Sequence, residues 1–134
     1  NAETLKTRLN ALQNEGEKRL KSVRQKPFLV FHDAWGHFAR SFSLSVAGSV
    51  ALNPERPPGA KRIAEIRKLI RESAPKCLFK EPQFNSPLLK TILEDHADMK
   101  VFELDPLGAD QQPGPELYFN MMEGNIAAVL ECLS

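Results

Sequence analysis

The chain has no apolar run approaching the ~20 residues that a membrane-spanning helix needs. Net charge is nearly absent as well: 18 Lys and Arg stand against 17 Asp and Glu, and a balance of +1 gives no sign of steering onto nucleic acid. There are only two cysteines, Cys77 and Cys132, and their distance in sequence excludes a CxxC metal or redox pair. On the residues alone they are either a disulfide of an oxidising compartment or two buried thiols. Gly36, Gly48 and Gly59 are isolated, so no loop is built to cradle phosphate. Ser41, Ser43 and Ser45 form no GxSxG elbow, and no two carboxylates stand at a compelling catalytic spacing. The opening Asn1-Ala2-Glu3-Thr4 has neither the basic start nor the apolar segment of a signal peptide. If the protein is exported, a processed or truncated form is expected.

What is present describes a globular chain: 134 residues, 42% apolar and 26% charged, enough for one domain with one core. Residues 3–25 read as a polar helix, with Leu5, Leu9 and Leu12 at i, i+4 and i+7 and the stripe resuming at Leu20 and Val23. Gly16 weakens its middle by roughly 1 kcal/mol relative to alanine. A strand is predicted at 28–31, a short helix at 34–42, a second strand at 44–51 and a helix at 60–73. A third strand follows at 77–79, a helix at 88–97, a fourth strand at 100–104 and a last helix at about 115–133. Prolines make 53–59 and 81–87 loops, with Ser86 and Pro87 reading as N-cap and first helical residue. Strands alternating with helices predict an α/β fold, a four-stranded parallel sheet flanked by helices.

The most informative stretch is Phe28-Leu29-Val30-Phe31-His32-Asp33-Ala34-Trp35-Gly36-His37-Phe38. Four apolar residues predict a buried strand, and a histidine follows at its exit. In open α/β sheets ligands bind outside the carboxyl ends of the strands, and neutral imidazole is the commonest protein metal ligand. The competing reading is a hydrogen-bonded core histidine. Asp33 can orient that imidazole or cap the helix expected from Ala34. Asp105 leaves the fourth strand on the same edge and is placed to converge with His32, a pairing that suits zinc or manganese; the alternative is a turn aspartate. Glu81 leaves the third strand either as an acceptor for the imidazole or as a loop carboxylate. His37 is read as surface or packing. His96 ends a helix among Glu94, Asp95 and Asp98, where it can pair with acids or stabilise the helix terminus.

Five motifs occur in the order seen in one family: Phe31-His32-Asp33-Ala34 with Gly36 and Phe38; Asn53-Pro54-Glu55 with Pro58-Gly59-Ala60-Lys61-Arg62; Cys77 followed by Glu81-Pro82-Gln83-Phe84; Leu104-Asp105-Pro106-Leu107-Gly108; and Cys132. Over residues 27–134 the chain resembles the ZnuA-type cluster A-I solute-binding proteins of bacterial zinc ABC importers. The resemblance implies two α/β lobes joined by one long helix, with the metal between them. It implies that residues 1–25 are the end of that inter-lobe helix and 26–134 the carboxy-terminal lobe. It makes His32 a direct zinc ligand, Asp105 a candidate further ligand, and Cys77–Cys132 a disulfide of the periplasm, while Asp33 and Glu81 keep the supporting roles read from their positions.

The departure from the family is the amino-terminal lobe, absent here together with two histidines of the usual site and the His-rich acidic loop. The resemblance therefore implies a piece of a longer zinc-capturing protein that delivers Zn2+ to a membrane permease driven by an ATPase. With its inter-lobe face open, the piece is also placed to form a homodimer. No enzymatic activity and no nucleic-acid partner are expected. The alternatives are a metal-assisted hydrolase built on His32, Asp33, Asp105 and Glu81, or a single-lobe interaction module that binds no metal.

Overall fold

The computed structural model describes every residue except Leu52, Pro54, Pro57 and Asn85, so the two proline loops are described only in part. The elements in order are α1 (Ala2–Leu20) with a 3-10 turn at Lys21–Val23, β1 (Phe28–His32), α2 (Gly36–Ser41), β2 (Val46–Ala51) and α3 (Ala60–Ser73). Then come β3 (Cys77–Lys80), α4 (Pro87–Glu94), β4 (Lys100–Glu103) and α5 (Leu117–Leu133). All strand pairs are parallel, and the spatial order is β2-β1-β3-β4. This is the predicted four-stranded α/β sheet.

The order has a consequence for function. The chain steps outward from β1 to β2, then returns across β1 to place β3 on its other side. The sheet therefore reverses direction between β1 and β3, and the crevice at such a reversal, at the carboxyl ends of the strands, is where open α/β sheets bind ligands.

Alternation along the strands divides the core into two layers. Phe28, Val30, Cys77, Phe79 and Leu104 face one side, with Leu20 and Val23 from the end of α1 and Ile126, Val129 and Leu133 from α5. Leu29, Phe31, Val50 and Leu78 face the other, under Ile66 and Ile70 of α3 and Leu89 and Ile92 of α4. β1 is buried along four consecutive residues because both its faces are covered. The Cys77–Cys132 disulfide, with Cα atoms 6.1 Å apart, ties β3 to the end of α5. Closing a loop of that size removes unfolded-state entropy worth about 4 kcal/mol in the chain-entropy account.

Several boundaries differ from the sequence reading. α2 begins at Gly36, with Trp35 in the capping position and no side chain capping it. Asp33 therefore does not cap a helix from Ala34. The Ala34 amide instead donates to the His32 carbonyl at 2.9 Å, a tight turn at the strand's exit that delays the helix. β2 starts at Val46 because Leu44 N–H bonds back to the Ala39 carbonyl at 2.8 Å, past Ser43 at φ 55°. α4 ends at Glu94; His96 lies beyond it, and Asp95 pairs with Arg67 at 2.8 Å rather than with His96. Ser86 caps α4 with Pro87 in its first turn, as expected.

Gly16 is not merely a weak point in α1. It is buried, and a β-carbon there would stand 2.5 Å from Phe42 Cε1 and 2.9 Å from Ile126 Cδ1. Glycine lets α1 approach α5 and the end of α2. In the first half of the helix Leu5 and Leu9 are exposed, and Arg8 reaches α5 by stacking on Phe119 at 3.9 Å and pairing with Glu116 at 2.6 Å.

Candidate functional site

The residues at the sheet reversal come from one row across the strands. Pairing runs Val30 to Phe79 and Phe79 to Phe102, so continuing one step pair along each strand aligns His32, Glu81 and Leu104. Leu104 N–H donates to the Lys80 carbonyl at 2.9 Å and extends that alignment past β4. All three continue the face that packs on α1 and α5.

His32 sits at the end of β1 with about a third of its side chain exposed. Its Nδ1 faces Glu81 Oε1 at 3.6 Å, a charge contact just beyond hydrogen-bond length. The ring meets Phe84 edge-on at 5.9 Å between centroids. Among the described residues no side chain or backbone group bonds Nε2, so this nitrogen keeps its lone pair for a ligand once Nδ1 carries the proton.

Glu81 is 1% exposed. The Trp35 indole N–H donates to the same Oε1 at 3.2 Å, while Oε2 is buried without a partner among the described residues. Burial pushes the carboxyl pKa up. The Trp35 hydrogen bond and the His32 ring pull it down by less. Trp35 lies within the informative run of the sequence but has no role assigned to it there, although it is the only tryptophan and lies three residues after His32.

At the exit of β4, Asp105 is occupied differently. Its Oδ1 accepts from Leu107 N–H and Gly108 N–H, both at 2.9 Å. Gly108 closes this turn at φ +69°, in the left-handed region that favours glycine. The backbone of Asp105 is clasped by Asn125: its N–H donates to Asn125 Oδ1 and its carbonyl accepts from Asn125 Nδ2, each at 2.8 Å. Asp105 Oδ2 is buried with no partner among the described residues. Asn125, 3% exposed, also escaped the sequence reading. It occupies the inward stripe of α5 with Met122, Ile126 and Val129, where a polar residue is a signal in itself.

Asp33 is exposed and makes no hydrogen bond to His32; the carboxylate at the imidazole is that of Glu81. His37 is exposed and shares a 3.1 Å contact between its Nδ1 and Arg40 Nη2. His32 and Asp105 share no direct bond. They lie two strand spacings apart, about 10 Å between backbones. Among the described residues no three His, Cys, Asp or Glu side chains converge closely enough to hold a metal ion. The arrangement offers one oriented imidazole and, two strands away, one spare carboxylate oxygen.

Comparison with known proteins gives this arrangement a context. The chain is 40% identical over 134 residues to the high-affinity zinc uptake system protein ZnuA of Brucella suis, and 34% identical over 134 residues to that of Haemophilus ducreyi. It spans only 40% and 43% of those relatives' lengths. Among solved structures, the laminin-binding adhesin Lmb of Streptococcus agalactiae superposes with a TM-score of 0.83 at 25% identity, over 99% of this chain and 50% of the adhesin. A Zn(II)-bound variant of AdcAII of Streptococcus pneumoniae shares the fold, with a TM-score of 0.81 at 23% identity over 99% of this chain and 48% or less of its own. The family model of the zinc-uptake complex component A, periplasmic, matches residues 1–132, and the chain belongs to that family.

Proposed function

We propose that this chain is the carboxy-terminal lobe of a zinc-capturing solute-binding protein, with His32 a direct ligand and Asp105 a further one. The observation that carries the reading is the imidazole at the β1/β3 reversal, backed at Nδ1 by a buried carboxylate and free at Nε2. Metal-binding histidines are held in this manner, with the second nitrogen on a carboxylate that fixes ring orientation and raises ligand basicity. The imidazole favours zinc over manganese, since the softer nitrogen donor suits the softer ion. Residues 1–25 are then the end of the helix joining two lobes, and 26–134 the lobe itself.

The chain covers about two fifths of its relatives, so the remaining ligands come from the part of the protein outside it. A second lobe facing the β1 and β4 exits would supply them; a homodimer through that face is the alternative source. The activity is chelation and release, with no bond made or broken and hence no enzyme. The cargo passes to an ABC permease coupled to its ATPase. The disulfide fits an oxidising compartment, and the periplasm is the one this family implies. Protons compete with the metal for the imidazole, so affinity falls at low pH.

The test is His32→Ala in the protein at its natural length, with zinc affinity read by competition against a chromophoric chelator. Loss of a ligand predicts a Kd at least 100-fold weaker with a near-normal melting temperature. An unchanged Kd would remove the proposal.

A further inference from the structure

We propose that Trp35 is a positioning residue for the zinc site, acting through Glu81 on His32. This rests on the reading of His32 as a zinc ligand.

Two donors converge on one oxygen. The Trp35 indole N–H reaches Glu81 Oε1 at 3.2 Å, and His32 Nδ1 stands 3.6 Å from the same atom. Glu81 has no other side-chain hydrogen bond among the described residues, and its Oε2 has no partner. A buried carboxylate with one free oxygen is able to rotate about its last torsion, and such terminal torsions are soft. The indole N–H is the one directional bond that stops this rotation and keeps Oε1 toward the imidazole. With Oε1 there, the proton of a neutral His32 is held on Nδ1 and the lone pair on Nε2. Without it, either tautomer is allowed, and the fraction of chain with Nε2 ready for the metal falls.

Trp35 is itself held. It is 6% exposed, its ring packs edge-on against Phe38 at 5.6 Å, and Phe38 packs on Phe42 at 5.0 Å. Phe42 lies against Gly16 of α1. The indole is therefore anchored through an aromatic series to the first helix, and its N–H is delivered from a rigid base. A purely structural role would need only the ring; the position of the N–H, aimed at the carboxylate that faces the candidate ligand, is what the packing does not require.

The experiment compares two replacements in the protein at its natural length. Trp35→Phe removes the N–H and part of the ring. Substitution of the indole by benzothiophene (3-benzothienylalanine) removes the N–H and preserves the ring's size, so it remains informative if the phenylalanine variant folds poorly. Two readouts are needed. The 15N shifts of the His32 ring in the metal-free protein report its tautomer, and chelator competition reports zinc Kd. The expected result is a move of His32 from the Nδ1–H tautomer toward a mixture, with a Kd about tenfold weaker, in the benzothienyl protein as in W35F. Unchanged ring shifts overturn the proposal, whether or not Kd changes, because a Kd effect alone is loosened packing. If the shifts move but zinc Kd stays at the wild-type value, Trp35 sets the tautomer without serving metal binding, and the proposal is overturned as well. His32→Ala run in parallel separates the two levels: zinc binding that survives it removes the zinc reading itself, whereas its loss with silent Trp35 variants removes only the positioning role.

Discussion

The exits of β1 and β4 carry the two candidate donors, and they are built in opposite ways. At β1 the side chain is held and the backbone passes into a tight turn closed by one main-chain bond, Ala34 N–H to the His32 carbonyl. His32 leans on a buried carboxylate, which in turn is held by an indole. At β4 the backbone is held and the side chain is mostly consumed. Asn125 grips both polar groups of the Asp105 backbone, and Asp105 Oδ1 closes a turn through two N–H groups. The contrast follows from topology. β1 is central and ends at the sheet reversal, where a side chain faces a crevice. β4 is an edge strand, and its exit is fixed by hydrogen bonds within its own turn and from Asn125 of α5. One exit presents a donor; the other builds a turn and has a single oxygen left over.

The contrast is broken most severely at Asn125. Replacing it by alanine leaves the Asp105 N–H and carbonyl without their 2.8 Å partners beneath α5. Two lost bonds of this kind cost about 2–3 kcal/mol, and the melting temperature should drop by roughly 8 °C. The corresponding loss at β1, Trp35→Phe, removes one hydrogen bond and should cost less. A thermal melt of N125A within about 2 °C of wild type would mean that the β4 exit is held by something other than this clasp.

A finer cut separates turn building from coordination. Asp105→Asn keeps a carbonyl oxygen to accept from Leu107 and Gly108, since asparagine serves in such turns as well as aspartate. It replaces the unpartnered Oδ2 by an NH2 group that cannot bind a cation. The expected outcome is a melting temperature within roughly 2 °C of wild type and a zinc Kd about tenfold weaker. That is a smaller effect than His32→Ala, because the imidazole is the better oriented donor. A wild-type Kd for D105N would leave Asp105 as a turn residue alone.

The difference between the exits also explains what the sequence could disclose. β1 and His32 were legible because four apolar residues followed by a polar one describe a doubly covered strand and its end. The α/β pattern was legible for the same periodic reasons. The start of α2 was not. Asp33 before a helix is a good local cap, but the indole of Trp35 is drawn under the sheet edge to Glu81, and that contact sets where the helix can begin. Gly16 reads as a helix defect until Phe42, 26 positions later, is seen against it. Glu81 stood as either loop carboxylate or imidazole partner. Only the strand order, which brings β3 beside β1, puts it 3.6 Å from His32. Order in space is carried by crossovers between distant segments, and no local pattern records it.

The effect of Glu81→Gln on stability is the one whose sign discriminates best. Glu81 is buried, and desolvation raises its pKa above the ordinary 4.5. Between the unfolded and folded pKa values the native state binds more protons than the unfolded state, so stability falls as pH rises through that window. What the protonated carboxyl contributes is fully present below about pH 4.5 and lost above the folded value. Glu81→Gln carries no charge at any pH and keeps a carbonyl for the Trp35 N–H. The variant should therefore melt above wild type at pH 7, with the advantage shrinking as pH approaches 4.5. Its zinc Kd should weaken about tenfold, because the imidazole loses its carboxylate. The same substitution thus moves stability and binding in opposite directions at the β1 exit, whereas N125A lowers stability at the β4 exit with no compensating gain. If E81Q instead melts below wild type at pH 7, the His32 and Trp35 contacts outweigh the cost of burial, and the β1 exit is held as firmly as the β4 exit.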